Sequence, residues 1–249
     1  MNHGSNCAAF FDLDGTLLAP PSLEQRFIRY LIERGKLGPL NGCRWLAEFL
    51  LRIGSDRMEA TEGNKKYLKD LPFRLAEEWI ASSEFDSLPL FSEGLHQLTW
   101  HAARGHKIFL LSGSLGPLVR AIATRLPVPS EVITVSATEL ESCDGRWTGY
   151  IQDELISGVE KARSAMSLAT LFGIQLASSF AYADRFSDSA ILGTVGFPVA
   201  VNPSRLLRRQ AMNRHWPIVE WNQRISSTGA ASTECFPDIA SIPQFQEKQ

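Results

Sequence analysis

Two carboxylates lie one residue apart in Asp12-Leu13-Asp14-Gly15-Thr16, directly after a strongly apolar stretch. That stretch predicts a buried strand, so both acids would emerge at its carboxyl end, where open α/β folds bind ligands. The carboxylate of Asp12 is a nucleophile that could attack phosphorus, while Asp14 could donate and accept a proton. Gly15 permits a sharp turn, and the Thr16 hydroxyl could bond a backbone group or a phosphoryl oxygen. The segment favours phosphoryl-transfer chemistry over a plain polar turn.

Three further residues are candidates for binding the phosphate. Ser112 and Gly113 follow a short apolar run and precede a predicted helix, so a hydroxyl and backbone N–H groups would face an anion there. Lys161 lies near the start of a later predicted helix, where its ammonium group would stabilise phosphoryl oxygens. Each signal is weak alone, because Ser-Gly-Ser is a common loop sequence and most lysines are solvated.

An acidic pair, Asp184 and Asp188, follows another apolar run. Together with Asp12, Asp184 would supply two hard carboxylate oxygens, the ligand type that Mg2+ prefers. For Asp188 two interpretations stay open: a role at or beside the metal, or a cap for the helix that begins near residue 189.

These motifs, in this order, resemble those of the haloacid dehalogenase superfamily, chiefly phosphatases of its phosphoserine phosphatase-like branch. The resemblance covers about residues 7–203. It implies that Asp12 is the nucleophile and forms an aspartyl-phosphate, and that Asp14 acts first as general acid and then as general base. It implies a phosphate site and a Mg2+ site. The phosphate would be bound by Thr16, Ser112, Gly113 and Lys161, and the metal by Asp12, Asp14 (through its backbone carbonyl), Asp184 and Asp188.

The elements that must position these residues alternate along the second half of the chain. Short apolar runs without strict alternation predict strands covered on both faces, at residues 7–13, 107–111, 132–136, 179–183 and 198–201. Helical stretches at residues 92–104, 116–126 and 158–172 lie between them. This order predicts an α/β fold with a doubly wound, Rossmann-like parallel sheet.

The stretch after the first strand breaks this alternation. It carries helical apolar spacing but no good strand, which predicts a helical cap inserted there, over residues 17–90. The α/β core would then comprise residues 1–16 and 91–225, and residues 226–249 would form a poorly ordered tail. Asp144-Gly145 predicts a two-residue hairpin turn, in a small flap beside the sheet.

Composition excludes several classes of protein. The 249 residues are 44% hydrophobic and 21% charged, with a net charge of -2 and a pI near 6.2, which fits a globular chain and argues against nucleic-acid binding. Four scattered cysteines predict reduced thiols. No apolar run is long enough to cross a bilayer, and the N-terminus does not resemble a signal peptide. We expect a cytoplasmic protein without a transmembrane segment.

The expected substrate is a small phosphorylated metabolite. Phosphoserine itself is doubtful, because Pro21 stands where the phosphoserine-specific pattern has a substrate-binding Glu, although Glu24 lies nearby. Arg185, after Asp184, could be a site cation or a solvated loop residue, and the Arg-rich stretch 204–214 could face phosphate, lipid or solvent. We expect a Mg2+-dependent phosphatase. A phosphotransferase to an acceptor alcohol and a non-catalytic phosphate-binding regulator are the alternatives.

Overall fold

The computed structural model describes residues 6–51 and 63–226. The strands are β1 (Ala8–Asp12), β2 (Pro89–Phe91), β3 (Lys107–Leu115), β4 (Ile133–Thr138), β5 (Leu140–Cys143), β6 (Arg146–Ile151), β7 (Phe180–Ala183), β8 (Phe197–Val201), β9 (Ile218–Val219) and β10 (Arg224–Ser226). The α-helices are α1 (Leu23–Glu33), α2 (Pro39–Leu51), α3 (Arg74–Ile80), α4 (Ser83–Asp86), α5 (Ser92–Ala103), α6 (Gly116–Ala123), α7 (Val159–Phe172), α8 (Ser189–Leu192) and α9 (Arg205–Arg214).

A six-stranded sheet, in the order β4-β3-β1-β7-β8-β9, forms the centre of the fold, and all of its paired strands are parallel. Apolar clusters cover both faces: α5 and α6 contribute to one, and α7, α8 and α9 to the other. The predicted doubly wound α/β sheet is confirmed.

β1 shows why the apolar runs become buried strands. All five of its residues are buried, and successive side chains alternate between the two faces of the sheet. Phe10 stacks on Phe109 at 5.0 Å between ring centroids, while Phe11 stacks on Tyr182 at 4.4 Å. Because each face is covered by its own layer, the strand shows no polar alternation in sequence.

The described chain between β1 and β2 is helical, as the sequence predicts. Ser22 begins α1 with a capping box, in which its hydroxyl accepts from the Gln25 N–H and the Gln25 side chain accepts from the Ser22 N–H. Phe27 of α1 then stacks on Trp79 of α3 at 5.3 Å between ring centroids. Aromatic packing therefore joins the first helix of this segment to a later one.

The hairpin predicted at Asp144-Gly145 forms from β5 and β6, directly after β4 at the edge of the sheet. It also pairs with residues 70–73 of the helical segment: the Asp70 N–H donates to Trp147 O at 2.9 Å and the Trp147 N–H to Leu71 O at 3.0 Å. Trp147 is buried, with its ring edge against Phe27 at 6.1 Å. The hairpin contacts the helical segment because this contact buries the indole ring of Trp147.

Other boundaries also differ from expectation. β3 extends to Leu115, four residues beyond its predicted end at residue 111, so Ser112 and Gly113 lie within the strand rather than after it. β2 straddles the predicted boundary at residue 90, and it pairs with β10, which reaches Ser226, the first residue of the predicted tail. The rest of that tail lies outside the described residues. The helix predicted over residues 116–126 ends at Ala123. Strands and turns this short carry too little periodicity to be read from sequence. The division into cap and core remains a prediction.

Two composition-based expectations can be compared with the described residues. In residues 6–51 and 63–226, each helix is too short or too polar to traverse a bilayer. Cys43 and Cys143 are free thiols, the Cys7 thiol donates a hydrogen bond to Ser178 O at 2.8 Å, and Cys235 lies outside the described part of the chain. In α9, Leu207 and Ala211 are buried and the arginines are exposed, which is compatible with each interpretation of the Arg-rich stretch.

A buried histidine supports the strand that leads to Asp184. His101 on α5 is fully buried, with its Nε2 2.9 Å from the Tyr182 hydroxyl and its Nδ1 2.8 Å from His106 Nδ1. Burial, reinforced by the charges that His106 and Arg104 carry, holds the pKa of His101 well below its ordinary value. The ring is therefore neutral in the folded protein at neutral pH.

This histidine should make the fold sensitive to mild acid. Below about pH 6.5, His101 binds a proton in the unfolded chain but stays neutral in the folded protein. The free energy of unfolding therefore falls by up to about 1.4 kcal/mol for each pH unit below that point. We expect His101→Gln, although less stable at pH 7.5, to show a smaller loss between pH 7.5 and 5.5. Urea unfolding measures this, with exposed His215→Asn as the control. Equal pH dependence in wild type and His101→Gln would contradict the prediction.

Candidate active site

Three strands end side by side and bring the separated motifs to one edge of the sheet. β1 lies between β3 and β7, and Asp12 pairs in register with Leu111, the residue before Ser112. Asp184 directly follows β7. Because all three strands are parallel, their carboxyl ends meet, which is the edge that the sequence predicts for ligand binding.

An acidic cluster forms at this edge. Asp12, Asp184 and Asp188 each offer a carboxylate oxygen, and these oxygens lie within 4.8 Å of one another. Lys161 Nζ, from the first turn of α7, lies 2.7 Å from Asp12 Oδ1 and 3.0 Å from Asp188 Oδ1. The structure thus brings together four of the residues predicted from sequence, and it opposes three carboxylates with one ammonium group.

Burial and neighbouring charge set the protonation of this cluster. Burial alone would lower the pKa of Lys161, but the charges of Asp12 and Asp188 outweigh it and raise that pKa above its ordinary value. Burial, followed by the charge of Asp12, raises the pKa of Asp184 to about 9. The cluster therefore holds more negative charge than Lys161 balances.

These residues fit a divalent cation. Asp184 Oδ1 is buried and has no hydrogen-bond partner among the described residues, which leaves an oxygen for a metal. Gly15, with φ of +88°, makes room for this carboxylate, because a Cβ at that position would lie 2.1 Å from Asp184 Oδ2. Carboxylate oxygens with few protein ligands are typical of Mg2+ sites. A bound cation would also favour the ionised form of Asp184.

Asp14 lies beside this cluster and is held separately. Its Oδ2 accepts a hydrogen bond from the Ser114 hydroxyl and its Oδ1 one from the Leu23 N–H, each at 2.6 Å. Burial raises the pKa of Asp14; the Ser114 hydrogen bond works against this shift, and the charge of Asp12 adds to it. The side chain is thus fixed, and its environment favours the protonated form that a general acid needs.

The phosphate-binding candidates have different positions. Gly113 lines the cavity in front of Asp12, whereas Ser112 is buried beside it, with its hydroxyl accepting from the Ser114 N–H at 3.1 Å. Thr16 is fully buried, does not line this cavity, and its hydroxyl has no hydrogen-bond partner within the described chain. The geometry thus gives no phosphate contact for Thr16, because the turn at Gly15 directs the backbone back towards Leu13.

The cavity has a wall formed by the helical segment. It is lined by Asp12, Asp14, Ser22, Glu24, Lys65, Gly113, Ser114, Ser157, Lys161, Arg185, Ser187 and Asp188. In this wall, Glu24 accepts hydrogen bonds from both Lys65 and the Tyr67 hydroxyl. Burial, then the charge of Glu24, raises the pKa of Tyr67 well above its ordinary value, so this hydroxyl stays a donor.

Lys65 and Ser114 also line the cavity, although neither was predicted from the sequence. Ser114 follows Ser112 by two residues, and side chains at this spacing share a side of an extended strand, so the signal was present. Lys65 carried no such signal, because its place in the cavity depends on how the helical segment folds. Arg185, left open above, also lines the cavity, with Nε 4.0 Å from Asp184 Oδ2.

Comparison with known proteins agrees with this site. The family model for haloacid dehalogenase-like hydrolases matches residues 9–192. A putative hydrolase of Mycobacterium leprae is 34% identical over 222 residues, covering 85% of this chain and 71% of that protein. The phosphoserine phosphatase SerB1 of Mycobacterium tuberculosis is 32% identical over 223 residues, covering 85% of this chain and 70% of that protein.

A solved structure shows the same architecture. The crystal structure of a Bordetella pertussis protein of unknown function superposes with a TM-score of 0.69 at 25% identity, covering 86% of this chain and 98% of that one. The family match spans the nucleophile motif, the lysine and the acidic pair, the same residues that converge in the cavity. The chain belongs to the haloacid dehalogenase-like hydrolase family.

Proposed function

We propose that the chain is a Mg2+-dependent phosphomonoesterase that hydrolyses a small organic phosphate through an aspartyl-phosphate on Asp12. One observation carries the proposal: Asp12, Asp14 and Lys161 line a single cavity, with the carboxylates of Asp184 and Asp188 next to Asp12. A binding module has no use for a second, separately held carboxyl such as Asp14, which argues against the non-catalytic alternative.

The proposed reaction has two halves. A carboxylate oxygen of Asp12 attacks phosphorus, the bond to the leaving oxygen breaks, and Asp14 gives its proton to that oxygen. Asp14 then takes a proton from water as the water oxygen attacks phosphorus, and the bond from Asp12 to phosphorus breaks to release inorganic phosphate. Mg2+, held by Asp12, Asp184 and the Asp14 carbonyl, would neutralise phosphoryl charge.

Other side chains of the site support these steps. The ammonium group of Lys161 and the N–H groups near Gly113 would face the phosphoryl oxygens. Asp188, which is buried and bonded to Lys161, would keep that ammonium group beside Asp12. We therefore assign Asp188 chiefly to the orientation of Lys161, and only secondarily to the metal.

The leaving group would meet the wall formed by Glu24 and Lys65. This pair offers one carboxylate and one ammonium group, which together could bind a polar leaving group that carries opposite charges. The relative SerB1 is named a phosphoserine phosphatase, so phosphoserine is the first substrate to test. Because Glu24 is already bonded to Lys65 and Tyr67, an amine would have to displace one of these partners.

A phosphate-release screen tests the proposal. Purified protein is incubated with a panel of phosphorylated metabolites, phosphoserine included, in Mg2+ and in EDTA. We expect phosphate release from at least one phosphomonoester in Mg2+ only. Product analysis with added glycerol separates hydrolysis from transfer to an alcohol. If no phosphomonoester is turned over in Mg2+, the proposal fails.

Metal binding can be measured without activity. We expect Mg2+ to raise the free energy of unfolding of the wild type, by about 2.7 kcal/mol at 100 times its Kd. Asp184→Asn removes one carboxylate charge from the cluster and should abolish most of this gain. The exposed Asp153→Asn is the matched control and should keep it. Equal Mg2+ stabilisation of Asp184→Asn and wild type would contradict the assignment of Asp184.

A further inference from the structure

The carboxyl group of Asp14 is held from two directions. One oxygen accepts a hydrogen bond from the hydroxyl of Ser114, near the end of β3. The other accepts a hydrogen bond from the Leu23 N–H, in the first turn of α1. Ser114 is buried, and its own N–H donates to Ser112, so its backbone is fixed as well. The Ser114 hydroxyl is therefore a rigid support that faces Asp14 from the sheet side.

Without this support the carboxyl group would have other partners. Arg185 lines the same cavity, and its charge acts on Asp14, as does that of Arg26. A carboxyl group held only by the Leu23 N–H could rotate towards either guanidinium group and away from the phosphate side of the cavity. The short contact with Ser114 opposes that rotation.

We propose that Ser114 is a positioning residue for the acid–base step, which holds Asp14 Oδ2 in front of the oxygen of the leaving group. The inference rests on the proposed function and deepens it. Ser114 acts through Asp14: when the bond from phosphorus to the leaving oxygen breaks, the proton moves from the Asp14 carboxyl to that oxygen, and the serine keeps its own proton. Ser114 needs no contact with the substrate.

The inference predicts dependence on the leaving group. An alkoxide leaves poorly unless it is protonated, whereas p-nitrophenolate leaves readily without a proton. We expect Ser114→Ala to lower kcat/KM for ethyl phosphate by about 10- to 100-fold, the scale of a lost hydrogen bond to the carboxylate that forms as Asp14 gives up its proton. For p-nitrophenyl phosphate we expect a change of less than about 3-fold.

The choice of kcat/KM matters. This ratio includes only the steps up to release of the alcohol, so hydrolysis of the aspartyl-phosphate, which is common to both substrates, does not mask the effect. Activity on p-nitrophenyl phosphate also reports that the variant is folded and still binds phosphate. Ser114→Thr, which keeps a hydroxyl group, should recover part of the activity on ethyl phosphate.

A double-mutant cycle shows whether Ser114 acts through Asp14. The kcat/KM of Asp14→Asn should fall mainly for ethyl phosphate, and Ser114→Ala combined with Asp14→Asn should have a kcat/KM for ethyl phosphate no lower than that of Asp14→Asn alone. Additive losses, or equal losses on both substrates in Ser114→Ala, would overturn the inference while leaving the phosphatase intact. A wild type that turns over neither phosphate in Mg2+ would overturn the proposed function, and this inference with it.

Discussion

Replacing Asp12 with asparagine is expected to lower phosphomonoester turnover by about 10,000-fold or more, because an amide is a far poorer nucleophile than a carboxylate. The same change removes a charge from the cluster of Asp12, Asp184 and Asp188 and so weakens the cation site. The loss of the nucleophile and the weaker cation site both slow the attack on phosphorus. Release of phosphate from the best substrate of the screen measures the effect.

The protein fold should survive this substitution. An asparagine keeps a side-chain oxygen that can accept the hydrogen bond from Lys161, and Asp188 stays in place as the ion-pair partner of that lysine. We therefore expect a thermal unfolding midpoint within a few degrees of wild type in EDTA. A variant that loses activity but not structure separates the chemical role of Asp12 from a structural one.

Asp144→Asn is the matched control. Asp144 is exposed at the hairpin turn with φ of 49°, a conformation that asparagine adopts readily. It should keep full activity. Wild type mixed briefly with substrate should carry a hydroxylamine-labile phosphate, and Asp12→Asn should carry none. Substantial turnover by Asp12→Asn, or a labile phosphate on that variant, would show that Asp12 is not the nucleophile.

The sequence predicted the sheet edge well because its strands are buried on both faces. Runs such as β1 and β7 are short, apolar and free of alternation, a pattern that few other elements share. Parallel strands end at the same edge, so Asp12 and Asp184 had to meet once their strands were neighbours. Lys161 was a weaker prediction, which depended on the order of the motifs.

The cavity wall formed by the helical segment could not be predicted in the same way. The pairing of Glu24 with Lys65 joins α1 to a short turn before α3, and no periodic pattern fixes where that turn lies. Docking of the hairpin on residues 70–73 depends on burying Trp147, a single aromatic side chain. Such contacts follow from tertiary packing, which local propensity does not encode.

Replacing Lys161 with methionine, of similar length, is expected to harm both activity and stability. Activity should fall by about 100- to 1,000-fold, because a fixed positive charge beside the phosphoryl group is lost. In EDTA the free energy of unfolding should fall by about 3–5 kcal/mol, the usual cost of removing one partner from a buried ion pair, since the side chains of Lys161, Asp12 and Asp188 are only 7%, 7% and 2% exposed.

Mg2+ should reduce the stability defect, which would show that uncompensated charge causes it. The ion supplies positive charge beside the same carboxylates, so it should stabilise Lys161→Met by more than it stabilises wild type. The exposed Lys36→Met should behave as wild type in urea unfolding with and without Mg2+. If the defect of Lys161→Met were the same with and without Mg2+, lost packing rather than unbalanced charge would be its cause.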